Sequence, residues 1–312
     1  MDEVSALLDG PRARGAFVLR ARFEPPWALR IADEAPLAVI AVVRGGMAIS
    51  DADGPPVLLG RGDVAVVRGP EPYILGDAPG TAPQAVILPG QRCMSPDGRT
   101  PVRMRDLGHR TWGSAQDGST ALLTGVYETP TALGGRLLRA LPRLAVLRAG
   151  TWECAVLGIL DEEAARDRPG QDAVLDRLLD VLLVSALRAW FARPGSAAPA
   201  WFRAQEDPVA ADALRRIHDD PARAWTLAVL ARECGVSRAA LARRFTARIG
   251  EPPMRYLTGW RIALAADLLA DPGATLASVA PRVGYATGFS LSEAFLRVTG
   301  RRPSHHRAAH AA

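Results

Sequence analysis

The stretch T-L-A-V-L-A-R-E-C-G-V-S-R-A-A-L-A-R-R-F-T-A-R-I-G-E-P-P, from Thr226 to Pro253, is written twice in this chain. The second copy, T-L-A-S-V-A-P-R-V-G-Y-A-T-G-F-S-L-S-E-A-F-L-R-V-T-G-R-R-P, runs from Thr275 to Pro303. Thr226, Leu227, Ala231 and Gly235 recur 49 positions on as Thr275, Leu276, Ala280 and Gly284. Phe245, Gly250 and Pro253 recur 50 positions on as Phe295, Gly300 and Pro303. Two copies are too few for a solenoid, which needs about three to bury a continuous core, so the repeat reads as a duplicated small binding unit.

Each copy has the punctuation of helix, tight turn, helix. Thr226 is an N-cap for a short helix from Leu227 to about Glu233, with Leu227, Leu230 and Ala231 on one face. Cys234-Gly235 stops it, and Ser237 caps a longer helix, Arg238 to Ile249, that Gly250 ends. Leu241, Phe245 and Ile249 recur every fourth residue on its buried side. In the DNA-binding version of such a unit the second helix enters the major groove. Arg238, Arg243 and Arg244, with Arg248 near the end, are expected on its exposed face, where arginine suits both phosphate and the O6 and N7 acceptors of guanine. The matching helix of the second copy, about Thr287 to Thr299, offers Thr287, Ser290, Ser292 and Glu293, the last suited to accept from a cytosine amino group.

Charge agrees. Residues 221 to 312 hold 13 arginines against five acids, a net of +8, whereas residues 1 to 205 hold 23 of each. The chain's net charge of +5 is therefore an excess lying on the repeat, the electrostatic footprint of nucleic-acid binding.

Through V-S-R-A-A-L-A-R-R-F, G-E-P-P-M-R-Y-L, R-I-A-L-A-A-D-L-L and V-G-Y-A-T-G-F-S-L-S-E-A-F-L-R, the last hundred or so residues resemble the DNA-binding domain of the AraC family of bacterial transcription regulators. The resemblance implies that the helix from Pro253 to about Ala270 is a rigid spacer between two helix-turn-helix units that read successive major grooves, roughly 34 Å apart. Carried over position by position, it assigns base contacts to Arg238, Ala239, Ala242 and Arg243 in the first unit and to Gly288, Phe289, Ser290, Ser292 and Glu293 in the second. The first set keeps two arginines and the second is poor in hydrogen-bonding groups. The first unit is thus expected to carry most direct readout, the second more phosphate and shape contact. Two residues depart from the family pattern. Pro281 lies within the first helix of the second unit, where a proline costs up to about 3 kcal/mol unless the helix kinks. His306 stands where the family usually has Tyr or Phe.

The front of the chain alternates short β-branched runs with Gly and Pro. Strands are expected at 16–23, 27–31, 37–44, 47–50, 63–67, 73–75, 84–88 and 121–127, and many short strands at near-regular spacing suggest a sandwich or jelly-roll barrel. L-G-R-G-D-V-A-V-V-R-G-P-E-P-Y-I-L, Leu59 to Leu75, resembles the second signature of cupin barrels, which many AraC-like regulators carry as a sensor. Tyr73 stands where metal-binding cupins usually have histidine, and His109 is the only histidine before residue 200, so no metal ligands, cofactor or catalytic residues are expected. Arg22, Trp27 and Tyr73 are the candidate effector contacts, with Arg20, Arg30, His109 and Trp112 as further polar or aromatic residues. Arg20 and Arg22 share one face of their strand.

The expected fold class is α+β. A cupin-like barrel (about 14–128) and helices (about 134–193) form a sensor or dimerisation domain, 194–205 a linker, and 206–312 an all-α domain with helix-turn-helix units at about 226–250 and 275–300. Helix 171–192 places Leu175, Leu178, Leu179, Leu182, Ala186 and Trp190 on one stripe, which serves either its own barrel or a dimer interface; Asp176, Arg177, Asp180 and Arg188 exclude a membrane span. The start, M-D-E-V-S-A-L-L-D-G, lacks the apolar core of a signal peptide, so a cytoplasmic location is expected. Cys93, Cys154 and Cys234 lack metal-ligand spacing and read as free thiols. The resemblance implies promoter DNA as partner, RNA polymerase beside it, a small-molecule effector and a homodimer. Two other readings stand beside this: a barrel that serves only for dimerisation or protein docking, and a cupin-type enzyme with an accessory helical domain.

Overall fold

The computed structural model describes residues 17–51, 54–127, 138, 140–152, 154–193, 198–199, 202, 204–271 and 273–305. The proposed linker at 194–205 falls largely outside them, as do residue 306 and the first part of the helices expected from 134. The chain divides into two compact units, one holding residues 11–130 and 141–196, the other residues 197–312 with two short segments.

In the first unit thirteen strands are described: β1 Phe17–Phe23, β2 Ala28–Ile31, β3 Leu37–Arg44, β4 Gly46–Asp51, β5 Val57–Gly60, β6 Val64–Arg68, β7 Tyr73–Gly76, β8 Ala85–Leu88, β9 Arg92–Met94, β10 Arg105–Gly108, β11 Thr111–Gly113, β12 Thr120–Tyr127 and β13 Leu144–Leu147. They form a seven-stranded sheet in the order β10-β11-β1-β12-β3-β6-β13 and a six-stranded sheet in the order β5-β4-β7-β2-β8-β9. Alternate side chains fill the space between: Ala21, Phe23, Ala38, Ile40, Val42, Ala65, Val67 and Leu122 from the first sheet meet Leu29, Ile31, Met47, Ile49, Leu59, Tyr73, Leu75, Ala85 and Ile87 from the second. The outer face of the larger sheet is covered by helix. Helices α1 (Val156–Ala164) and α2 (Gln171–Phe191) pair, and a Cβ on Gly125 of β12 would lie 2.3 Å from the Cδ1 of Leu179 on α2. Leu175, Leu179, Leu182, Leu183, Ala186, Leu187 and Phe191 are buried on α2, so its main stripe serves its own sheet, while Leu178 and Trp190, expected on that stripe, are only half-buried.

Residues 144–147, expected within the helical segment, are instead a strand paired with β6. L-A-V-L is a short apolar run bounded by Pro142 and Gly150, and periodicity cannot separate a buried strand of that length from a piece of helix. The cupin-like corner L-G-R-G-D is closed by Asp63, whose carboxylate accepts from the amides of Gly60 (3.0 Å) and Ala149 (2.7 Å) and from Arg148 (2.8 Å). Burial alone would raise that carboxyl; these donors hold it below its ordinary value and pin the β5–β6 turn to the end of β13.

From 204 to 305 the described residues of the second unit form helices joined by short turns: α3 Pro208–Asp219, α4 Leu227–Glu233, α5 Arg238–Ile249, α6 Pro253–Leu269, α7 Leu276–Val279 and α8 Gly288–Thr299, with 3-10 turns at Ala204–Glu206 and Pro281–Val283. Helix α6 is apolar on more than one side because it serves two cores in succession. Its first half gives Tyr256 and Trp260 to a cluster with Phe245 and His218, whose ring stacks on Trp260 at 3.9 Å and whose Nε2 lies 2.9 Å from the Tyr256 hydroxyl. Its second half gives Ile262, Ala265, Ala266 and Leu269 to a core with Val279, Val283, Leu291 and Phe295. The described helices include none long and apolar enough to cross a membrane.

Candidate nucleic-acid interface and barrel pocket

Both binding units are built by local chemistry in the same way. Thr226 and Ser237 accept the amides of Val229 and Ala240 at the starts of α4 and α5, each at 3.2 Å, and Gly235 and Gly250 take left-handed backbone (φ 68° and 86°) where the helices end. In the second unit Thr275 with Ser278, and Thr287 with Ser290, form reciprocal capping boxes, and Gly284 and Gly300 repeat the left-handed ends (φ 79° and 72°). Even the turn bond recurs: Val236 N–H to Ala231 C=O at 3.0 Å, Tyr285 N–H to Ala280 C=O at 2.9 Å. Pro281 does not break this frame. Helix α7 stops at Val279 and the chain tightens into a 3-10 turn, so the amide that proline lacks is not called on.

The four arginines of α5 separate into two pairs. Arg238 and Arg243 are exposed and make no hydrogen bond or ion pair with another described residue. Arg244 does not face outward as expected: its Nε donates to Asp207 Oδ2 at 2.9 Å, and Arg248 pairs with Glu206 at 3.0 Å. Asp207 is the N-cap of α3, accepting from Val209 and Ala210, so Arg244 docks α5 onto α3. Residues 244 and 248 flank the buried stripe of Leu241 and Phe245, which turns them toward the neighbouring helix. Ala239 is exposed and Ala242 half-buried beside Arg238 and Arg243.

On α8 the expected polar readers are partly occupied. The hydroxyls of Thr287 and Ser290 are spent in their capping box, and Gly288 presses on the start of α7, where a Cβ would lie 3.2 Å from the backbone of Leu276 and Ala277. Phe289 is 77% exposed, Glu293 is exposed and Ser292 half-buried. The two units are tied together by Arg261 of α6, whose guanidinium donates to the carbonyls of Pro221 and Arg223 (2.7 Å each), lies over the Tyr285 ring and sits against Gly284. Cys234, beside the first turn, is kept a thiol: burial and Asp212 push it up to about 11.

In the barrel the parity of β1 is opposite to that needed for two of the candidates. Leu19, Ala21 and Phe23 point inward, so Arg20 and Arg22 point out, Arg20 to Asp161 of α1 at 2.8 Å and Arg22 to the carbonyl of Gln116 at 2.8 Å. Arg30 is likewise exposed between the inward Leu29 and Ile31. Tyr73 does line the interior, and Trp27 is buried behind Phe23, stacked on it at 4.4 Å. An internal cavity of about 40 Å³ lies among Phe23, Ile31, Tyr73, Leu75 and Val126, with Asp33, Gln91 and Trp112 at its polar side. Burial raises the Asp33 carboxyl, partly offset by the Ala35 amide and by Gln91, and burial followed by Asp33 keeps the Tyr73 hydroxyl protonated. Leu19, Ile87, Gln91 and Trp112 also wall an open hollow of about 760 Å³ that reaches Arg105, His109 and Asp167. The ring of His109 is held by Gln171 at 2.6 Å. Asp33 and Gln91 were not legible in the sequence: both sit in irregular backbone, Gln91 in the left-handed region (φ 58°), outside any periodic pattern. Among the described residues no three His, Cys, Asp or Glu side chains gather as a metal site would require.

The chain matches the cupin family over residues 2–192 and the helix-turn-helix domain family over residues 230–309. A putative AraC-like transcription regulator from Streptomyces lividans is 35% identical over 288 residues, covering 90% of this chain and 90% of that protein. A second, from Streptomyces antibioticus, is 34% identical over 272 residues, covering 86% and 85%. Among solved structures, the DNA-binding domain of AdpA in complex with a target DNA is similar over 33% of this chain and 92% of that one, at 28% identity and a TM-score of 0.31. With a cupin domain in front, a duplicated helix-turn-helix behind and a third of its residues identical to such regulators over nine-tenths of its length, the chain belongs to the AraC family of bacterial transcription regulators.

Proposed function

We propose that this regulator binds duplex promoter DNA by laying α5 and α8 in successive major grooves, with Arg238 and Arg243 reading base edges. The observation that carries this reading is the repetition of one capped helix-turn-helix frame at both ends of α6, with two exposed arginines on the outward face of the first copy that pair with no described residue. Selection of bound duplexes from a random pool by the full chain is expected to return two short motifs about one helical turn apart. A single motif, or none, would overturn it.

In the same reading, a small effector enters the hollow beside Trp112 and reaches the barrel interior, where the Tyr73 hydroxyl and the Trp112 indole N–H offer donors to an uncharged acceptor. The Trp112 N–H is buried and has no acceptor among the described residues, which supports the assignment. Candidate metabolites are tested by their shift of melting temperature in the wild type against Trp112→Phe and Tyr73→Phe. The small internal volume favours a second reading, in which the barrel serves assembly alone. A homodimer insensitive to every compound would select it. Exposed Ile159, Val174 and Val181 on α1 and α2 are the apolar residues we assign to that dimer, to be read by sedimentation. RNA polymerase as partner, a cytoplasmic location and the absence of catalysis complete the reading.

A further inference from the structure

The outward face of α8 is unusual in what it lacks. A helix that holds phosphate presents cations or free amide N–H groups at its N-terminus. Here Thr287 and Ser290 cap each other, Gly288 is pressed against α7, and the exposed polar side chain that remains in the first two turns, Glu293, is an anion that phosphate repels; the arginine of the helix, Arg297, is exposed only in its last turn. Between them stands Phe289, 77% exposed, the most exposed of the large apolar side chains described. Its counterpart in α5, fifty positions earlier, is Ala239, also exposed. Phe289 and Glu293 are four apart, so they share one face of the helix.

In those first two turns, an exposed groove face made of one aromatic ring and one carboxylate has two features to read. The ring meets the single apolar group in that groove, the 5-methyl of thymine, and the carboxylate accepts from an exocyclic amino group. The geometry points to Phe289 as a specificity residue that recognises a thymine methyl in the second subsite, in place of the phosphate-dominated contact that the amino-acid sequence suggested for this unit. The inference rests on the assignment of α8 as a groove-reading helix.

The test uses the full chain and its best selected duplex. Each thymine is replaced singly by deoxyuridine, which removes only the methyl, and affinity is measured for the wild type and for Phe289→Ala. One thymine in the second subsite is expected to matter, its loss weakening the wild type about fourfold, equivalent to roughly 0.8 kcal/mol for one buried methyl, and leaving Phe289→Ala unchanged. Because Phe289 is exposed, its variant should melt as the wild type does, which separates lost recognition from lost folding. No sensitive thymine in that subsite, a sensitivity that persists in Phe289→Ala, or an equal loss on every duplex would overturn the inference while leaving DNA binding intact. Failure to select any duplex would overturn the DNA-binding reading as well.

Discussion

Arg243 and Arg244 are adjacent in the chain and opposite in direction, one exposed and one paired with Asp207. One residue of helix is a rotation of about 100°, enough to carry a side chain from the outward surface to the seam with α3. Arg243→Ala should weaken binding to the preferred duplex by roughly 1–3 kcal/mol and relax preference at one base position; equal loss on random DNA would mark it as a phosphate contact. Arg244→Ala should leave sequence preference alone and lower the melting temperature. The pH dependence has a definite sign. Arg244, with the amides of Ala210 and Val209, holds the Asp207 carboxyl below its ordinary value, so the stability it lends is present above about pH 3.9 and lost as pH falls through the lower, folded value. Thermal melts from pH 5 to pH 2 should therefore show a smaller acid loss in Arg244→Ala than in the wild type. The sequence offered both arginines as DNA contacts because it does not show which flank a neighbouring helix covers. Phe289, by contrast, stands at a position expected to make contact, but nothing in the sequence marks it as the large exposed group beside a spent capping box.

At the scale of elements, the helical half was readable because its ends are written in the side chains that make them: Thr226, Ser237, Gly250 and Thr287 are caps, and a cap is local chemistry. The short strands Arg92–Met94, Arg105–Gly108 and Thr111–Gly113 carry no such mark. Thr111–Gly113 is held by a partner far away in sequence, as Arg20 with Thr111, while Arg92–Met94 and Arg105–Gly108 are too short to show a period and pair with chain neighbours, as Val86 with Met94 and Asp106 with Trp112. Pro281 shows how an element absorbs a defect. Since α7 has already given way to a 3-10 turn there, Pro281→Ala should change unfolding free energy by less than about 1 kcal/mol, against about 3 for a proline in a continuous helix. Gly284 tolerates nothing comparable. Its left-handed backbone and the Arg261 guanidinium, 2.7 Å from where a Cβ would stand, make Gly284→Ala a displacement of the bolt between the two binding units. The expected result is weaker binding to the selected two-motif duplex with less discrimination when the motif spacing is changed by one or two base pairs; unchanged spacing discrimination would contradict this.

At the scale of the molecule, charge was the most transparent feature, since a net of +8 over residues 221–312 needs no geometry to read. The barrel interior was the least transparent. Periodicity fixes which residues of β1 alternate, but not which set faces in, and that single parity decides between Arg22 and Phe23. The helix shared between the two binding units has a consequence for how the duplication can be taken apart. Because α6 spends its first half in one core and its second half in the other, the copies are not beads that a nuclease-style modular swap could exchange. Chain cleavage between Ala270 and Thr275 would strip Val279, Leu291 and Phe295 of their partners Ile262, Ala265 and Leu269, and the fragment from Thr275 onward should show no cooperative melt. The two repeats have become joint owners of one girder, so either copy is free to change its exposed side chains, as arginine in one and phenylalanine in the other show, but neither is free to leave.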